Sequence, residues 1–285
     1  MQLFGISDAS YFCNGFAPIQ GDATGSLAAF QRKYLTSANR TLSEGSPLFN
    51  SHRACMLREV ERCLFLSVSQ YRRALDLMIA SASPWAHVTL YYGGWYAAHA
   101  ILGMFGCTIL DSTWVVDVRR RTPGSQEMRR RRIGNKAGQE PTTCKGSHRI
   151  FWELFYRAVT PLRPQVLPKI AAVLSPVAND PAWLIAHRND ANYDTFRGLR
   201  LVNDFQRSFS TQHFPGSLPG VLGTQWRVSE GLLGLGFLFA HQLGLQTDAL
   251  SSLGSYSSFR QAVAKLIYEV RAQGLVRKTI KAQLV

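Results

Sequence analysis

The clearest pattern in the chain lies between Met56 and Ala82. Leu57, Val60, Leu64, Val68, Tyr71, Leu75 and Met78 recur at steps of three and four, which draws one apolar stripe down a helix. Arg58, Glu59, Glu61, Arg62, Arg72 and Arg73 sit off that stripe. The helical signal begins near Ser51, and Pro84 is expected to break it. A second helix is predicted from about Trp85 to Phe105, and it is apolar on almost every side. Its small residues Gly93, Gly94, Ala97, Ala98 and Ala100 let a neighbouring helix come close, so it belongs in the middle of a bundle.

The pattern changes between Cys107 and Lys145. Thr113 to Val118 alternates weakly and carries β-branched residues, Pro123-Gly124 marks a turn, and Met128 to Ile133 follows. This reads as a β-hairpin or long arm inserted between helices, with Lys136 to Lys145 as a mobile loop. Helical pattern returns from Ser147 to Val159, with Phe151, Leu154 and Phe155 on the inner face. A short helix is expected over Lys169 to Leu174. Asp180-Pro181 is a helix start, with Asp as cap and Pro in the first turn. That helix is expected to end within Asn189 to Thr195 and to resume through Leu199, Val202, Phe205 and Phe209. Pro215 to Gly220 reads as a linker, followed by helices near Trp226 to Leu243 and Ser257 to Gln273. At the other end, roughly the first 25 residues read as irregular or short-strand structure, and Leu27 to Arg40 as a short amphipathic helix.

Composition narrows the function. With 285 residues, 46% hydrophobic and 18% charged, the chain is long enough and apolar enough for a buried core. Lys and Arg total 32 against 18 Asp and Glu, a net charge of +14 that points to a polyanionic partner. Ten basic residues stand against three acids between Thr113 and Arg149, which is half of the whole excess. At its centre are Arg119, Arg120, Arg121, Arg129, Arg130, Arg131 and Arg132, whose planar guanidinium forks suit phosphate. A flexible basic arm of this kind would hold a nucleic-acid backbone without reading its sequence. The other reading of the same residues is a solvated loop, or a surface that docks an acidic protein.

Cys13, Cys55, Cys63, Cys107 and Cys144 are odd in number and none has CxxC spacing. Neither a disulfide framework nor a zinc site is expected, and the natural compartment is the reducing cytoplasm. The stretch Gly231 to Gly244 contains His241 and Gln242 and is too short to span a bilayer, so it is read as a buried helix and no membrane partner is expected. The N-terminus has no signal-peptide pattern. Common nucleotide, dehydrogenase, zinc-protease and serine-hydrolase motifs are absent from the sequence, and no cofactor or metal is expected.

Three segments in order resemble the HEPN superfamily. Tyr91-Tyr92-Gly93-Gly94-Trp95-Tyr96-Ala97-Ala98-His99-Ala100-Ile101-Leu102 is similar to a HEPN helix, with Trp95 where Phe is usual and Tyr96 where His is usual. His148 to Phe155 looks like the start of the third HEPN helix. Arg188-Asn189-Asp190-Ala191-Asn192-Tyr193-Asp194 resembles the Arg-x-x-Ala-Asp-Tyr-Asp segment of one branch, with Asn192 for the Asp. The resemblance covers roughly residues 51 to 210 and implies a mainly all-α fold, a HEPN-like helical bundle. The basic hairpin or arm at about 107–146 is then an insertion. Residues 1–50 form an N-terminal extension and 221–285 a C-terminal helical one.

What the resemblance implies about function is an RNA-directed protein, a homodimer or a subunit of a larger complex, and metal-independent ribonuclease chemistry. In nuclease members an Arg stabilises phosphate charge and a His four to six residues later handles protons. Here Arg188, Asn189 and Tyr193 are the candidate catalytic residues. The chain departs from the pattern because Tyr193 stands in the window of the His, and the next His after Arg188 is His213. An ordinary Tyr titrates near pH ~10 and is a poor base at neutral pH. Arg188 has a bland reading too, as a helix-end residue paired with Asp190 or Asp194. His99 is expected to be a structural histidine of the bundle. Three readings therefore stand side by side. One is an RNA-directed effector of a prokaryotic antiviral or toxin system, one an inert RNA- or DNA-binding subunit, and one a protein-interaction scaffold with a basic docking arm.

Overall fold

A computed structural model describes residues 6–14, 26–35, 41–80, 82–122, 125–160, 175–176, 180–194 and 220–243. The short helix expected at 169–174, the resumed helix at 199–209, the turn at Pro123-Gly124, the linker before Gly220 and the helix at 257–273 lie outside them.

Helices dominate the described residues: α1 (Ile6–Asn14), α2 (Leu27–Tyr34), α3 (Pro47–Ile79), α4 (Ser83–Met104), α5 (Ser147–Val159), α6 (Trp183–Tyr193) and α7 (Gly220–Gln242). Four strands, β1 (Thr41–Ser43), β2 (Cys107–Leu110), β3 (Trp114–Thr122) and β4 (Ser125–Arg132), form one antiparallel sheet in the order β1-β4-β3-β2. The chain divides into two compact units, one of Met1–Cys63, His99–Gln165 and Phe239–Ser257, the other of Leu64–Ala98, Val166–Leu238 and Ser258–Val285.

The predicted stripe is the buried face of α3, since Leu57, Val60, Leu64, Val68, Tyr71, Leu75 and Met78 are all buried. The first half of α3 is buried more widely than a single stripe allows. His52, Arg53, Arg58 and Glu61 are covered as well, so Arg58 and Glu61 do not face solvent although they lie off the stripe. Helix α4 packs antiparallel on α3 through its glycines. In the second unit a Cβ on Gly93 would lie 3.4 Å from the Ser67 carbonyl oxygen. In the first, a Cβ on Gly103 would meet Val60 Cγ2 at 2.5 Å. Gly94 faces α7, where a Cβ would lie 3.3 Å from both Leu232 and Ser229. The Ser67 hydroxyl donates to the Gly93 carbonyl at 2.7 Å, which satisfies a polar group inside this contact.

Two expectations are corrected and one is narrowed. Residues 6–14 are helical rather than irregular. Of the two forms expected for the insertion the hairpin is the one found, and it is more than a hairpin: β3 and β4 are the two central strands of a sheet whose edges are β1 and β2, in a fold that is mainly helical as expected. The segment from Lys136 to Lys145 is a held loop rather than a mobile one. The Glu153 carboxylate of α5 accepts from the Thr143 amide at 3.0 Å and the Cys144 amide at 3.1 Å. It also accepts from the hydroxyls of Thr142 at 2.6 Å and Thr143 at 3.0 Å. A carboxylate with several donors converging on it is a strong local clamp, because charge-assisted bonds are worth about twice neutral ones.

Candidate nucleic-acid interface

The β3–β4 register sorts the arginines. Asp117 pairs with Arg129, Arg119 with Glu127 and Val115 with Arg131, and directly opposed residues share a face. One face therefore carries Arg119, Arg129 and Arg131 around Asp117 and Glu127. Arg121 reaches the same cluster, its Nε 4.0 Å from Glu127. The opposite face carries Trp114, Val116, Val118, Arg120, Met128, Arg130 and Arg132. Four adjacent arginines fit in one strand because the pleat sends neighbours to opposite sides and acids stand between those on the first face.

The seven arginines do different work. Arg130 is buried, donates to the Leu35 carbonyl and lies 3.8 Å from the centroid of the Trp114 ring. Arg131 bridges two buried carboxylates, at 2.6 Å from Asp117 and 2.8 Å from Glu140. The ladder continues from Glu140 to Arg157 at 3.4 Å and from Arg157 to Glu153 at 2.8 Å, tying β3, β4, the loop and α5 together. These two arginines are structural. Arg120 pairs with Asp8 at 3.3 Å, and Arg132 is exposed on the same face of the sheet. Arg119, Arg121 and Arg129 touch Asp117 or Glu127, yet their side chains are 38%, 68% and 46% exposed. They are the solvent-accessible guanidiniums of this face, beside Asp117 and Glu127, whose carboxylates are buried.

The Arg188 segment lies on α6, which Asp180 helps to start by accepting from the Ala182 amide at 2.8 Å. Arg188 donates to Asn189 Oδ1 at 2.7 Å and sits 5.1 Å from the centroid of the Tyr91 ring. The structure thus brings two of the resembling segments together, since Tyr91 is on α4. Tyr193 is 77% exposed at the helix end. Five residues along a helix amount to about 140° of rotation, so Tyr193 does not share a face with Arg188. His187 Nδ1 is 3.8 Å from Asp190, and its ring packs edge-on against Trp183.

His99 stacks on Phe151 with centroids 4.2 Å apart, and burial pushes its imidazole down to about 3, so it stays neutral. Two buried polar pairs escaped the sequence reading. The Tyr71 hydroxyl donates to Glu230, whose carboxyl burial raises to about 8 against the lowering effect of that bond. His87 Nδ1 meets Gln225 Oε1, and burial holds its ring near 4. Their partners lie more than 130 residues apart, and no local pattern links such positions. All five cysteines are thiols, and among the described residues no three His, Cys, Asp or Glu side chains are placed to hold a metal. No helix among the described residues is long and apolar enough to cross a membrane.

The chain matches no protein-family model, no curated protein and no solved structure.

Proposed function

We propose that the chain is a HEPN-like nucleic-acid-binding protein that grips RNA by its phosphates. The observation that carries this reading is the exposed trio Arg119, Arg121 and Arg129 on one face of a rigid sheet, in a chain of net charge +14. Residues two apart on a strand are spaced about 6–7 Å, so a backbone crossing this face meets cation after cation. RNA rather than DNA, a dimer or larger complex, and a cytoplasmic antiviral or toxin setting follow from the HEPN resemblance alone. Binding without cleavage is the reading we favour, because Tyr193 stands off the face that Arg188 occupies and the adjacent His187 is packed edge-on against Trp183. The ribonuclease reading keeps one observation in its favour, the meeting of Arg188 with Tyr91.

The test is fluorescence anisotropy with a labelled single-stranded RNA from low to moderate salt. The partner variant changes Arg119, Arg121 and Arg129 to Gln, which removes three charges while still donating N–H groups to the neighbouring acids. Weaker binding with a flatter salt dependence is expected. No RNA or DNA binding by the wild type at low salt transfers the basic face to an acidic protein partner. Total RNA incubated with a chelator decides catalysis. Cleavage by wild type that Arg188→Ala abolishes and Tyr193→Phe reduces would establish a metal-independent ribonuclease; equal inertness with intact binding establishes the binding subunit.

A further inference from the structure

Three sides of α4 meet other helices of the second unit, and the side between two of them carries aromatic rings. A Cβ on Gly93 would lie 3.4 Å from the Ser67 carbonyl oxygen of α3, and one on Gly94 3.3 Å from Leu232 of α7. The Arg188 guanidinium of α6 sits 5.1 Å from the Tyr91 ring. At about 100° per residue, Gly94 lies half a turn round the helix from Trp85. The sector between α6 and α3, away from α7, therefore holds Trp85, Val88, Thr89, Tyr92, Trp95 and Tyr96 within about 120°. Trp85 is 61% exposed and the rest of the sector is part-exposed, whereas Leu90, Tyr91 and Ala97 on the other sides are buried. Tyr91 gathers the site. The Tyr92 ring stands edge-on to it at 5.3 Å, the Trp95 ring stacks on it at 6.1 Å, and Arg188 brings a cation to the same ring.

Charge narrows the occupant. From Ser83 to Met104, α4 has no Asp, Glu, Lys or Arg, so nothing charged interrupts the rings. A cation stands on each bank. Arg188 donates to the neutral amide of Asn189 at 2.7 Å, which leaves its charge uncancelled there. On α3, Gln70 lies where that helix meets Gly93, and Arg73, three positions on and on the same side, is 74% exposed. Each bank has one acid as well: Asp76 is 3.8 Å from Arg73, and Asp190 is 3.8 Å from His187. Aromatic rings between cations match a single strand of nucleic acid, whose bases stack on such rings whatever their identity and whose backbone is anionic. A duplex keeps its base faces inside. Trp85 and Tyr92 are seven residues apart, about 10 Å along the axis, so each ring takes a base of its own.

We propose that this face of α4 is a stacking platform for single-stranded nucleic acid, with one base on Trp85, another on Tyr92 and the backbone toward Arg188. The proposal rests on the RNA reading and extends it from phosphates to bases. The experiment measures anisotropy of labelled oligo(U), and of a duplex of equal length, with the full chain across a salt series. Trp85→Ala should weaken oligo(U) binding about tenfold, the size of one stacked base. The salt slope should hold, because stacking releases no counterion. Trp85→Phe keeps a ring and should recover most of the loss, and Tyr92→Leu should weaken binding with the same unchanged slope. The duplex should bind wild type and Trp85→Ala equally. Trp85 is exposed, so the thermal midpoints of its variants should match the wild type. As a second readout, oligo(U) should quench tryptophan emission less in Trp85→Phe than in the wild type. A loss that Trp85→Phe does not recover, an equal loss on the duplex, or a changed salt slope overturns the platform. If every variant binds oligo(U) as the wild type does, the platform falls and the phosphate-grip reading stands. If Trp85→Ala weakens binding while changing Arg119, Arg121 and Arg129 to Gln does not, the grip on the sheet falls and the platform stands. If the wild type sediments as a dimer that Trp85→Ala dissociates with oligo(U) affinity unchanged, the face belongs to a second copy of the chain and the platform falls. No nucleic-acid binding by the wild type ends both readings.

Discussion

Glu230 shows what burial does to a single group. Its carboxyl is covered in the second unit and hydrogen-bonded by the Tyr71 hydroxyl, with Trp226 edge-on to the Tyr71 ring at 5.4 Å. Desolvation raises it to about 8, against lowering by Tyr71 and Arg227, so it is mainly protonated at neutral pH. In the unfolded chain it ionises near its ordinary value of 4.5. The folded state then holds a proton that the unfolded state gives up. The group's stabilising contribution is fully present below about pH 4.5 and is lost as pH rises to about 8. Glu230→Gln keeps a hydrogen-bonding partner for Tyr71 and removes the ionisation. Between pH 5 and 8.5 the wild type should lose at least ~2 kcal/mol relative to this variant in urea titrations. Parallel pH profiles would show that Glu230 is ionised in the fold. Tyr71 was legible in the sequence as a stripe residue; Glu230 was not, because its partner lies 159 positions away. Arg188 was legible as a candidate in the same limited sense. Its segment could be picked out, but the Tyr91 ring beneath it could not.

At the scale of elements, periodicity explains what could be read. Helix α5 runs over Ser147–Val159 as its pattern predicts, and α3 and α4 hold the two strongest apolar signals. The hairpin was legible through its turn residues and β-branched positions. The third and fourth strands' neighbours were not, because β1 is three residues long and lies outside any apolar run. The loop before α5 looked mobile because its residues are polar and small. What holds it is Glu153, and a glutamate on a helix carries no sign of which backbone it will clamp. Desolvation pushes the Glu153 carboxyl up, but the bonds from Thr142, Thr143 and Cys144 outweigh it and hold the group at about 2. That stabilisation is present above about pH 4.5 and is lost as pH falls toward about 2. Glu153→Ala should destabilise the fold by about 2–3 kcal/mol, with hydrogen exchange accelerated at the Thr143 and Cys144 amides. Unchanged protection there would mean that the clamp is not what orders the loop. Gly103 offers a second check on packing. In an ordinary helix Gly→Ala stabilises, yet a Cβ here would meet Val60 Cγ2 at 2.5 Å, and a β-branched neighbour yields little. Gly103→Ala should therefore lower stability by about 1–3 kcal/mol, read as a shifted urea midpoint.

At the scale of the molecule, the arginines of the β3–β4 hairpin divide into an interior part and a surface part. Sequence alone counts every arginine of the Arg119–Arg121 and Arg129–Arg132 runs alike, because composition has no register. Pairing of β3 with β4 separates them: Arg130 and Arg131 go to Leu35, Trp114, Asp117 and Glu140, while Arg119, Arg121 and Arg129 keep open surface. Two variants on this pair of strands should therefore fail in different ways. Arg131→Ala leaves Asp117 and Glu140 buried with less compensation, and breaking a buried pair costs about 3–5 kcal/mol. Its signature is a large fall in the unfolding midpoint, with any loss of RNA binding following the loss of fold. Neutralising Arg119, Arg121 and Arg129 to Gln should lower the midpoint less, since these guanidiniums are 38–68% exposed and each glutamine still offers N–H donors to the buried carboxylates. That variant's signature is in the salt series. Each phosphate contact to a single strand contributes about −0.7 to the slope of log K against log salt, so losing three should flatten it by roughly 2. If the triple variant unfolds and Arg131→Ala does not, the assignment of structural and phosphate-facing arginines is reversed. If both keep the wild-type slope, the sheet face is not where the polyanion lies.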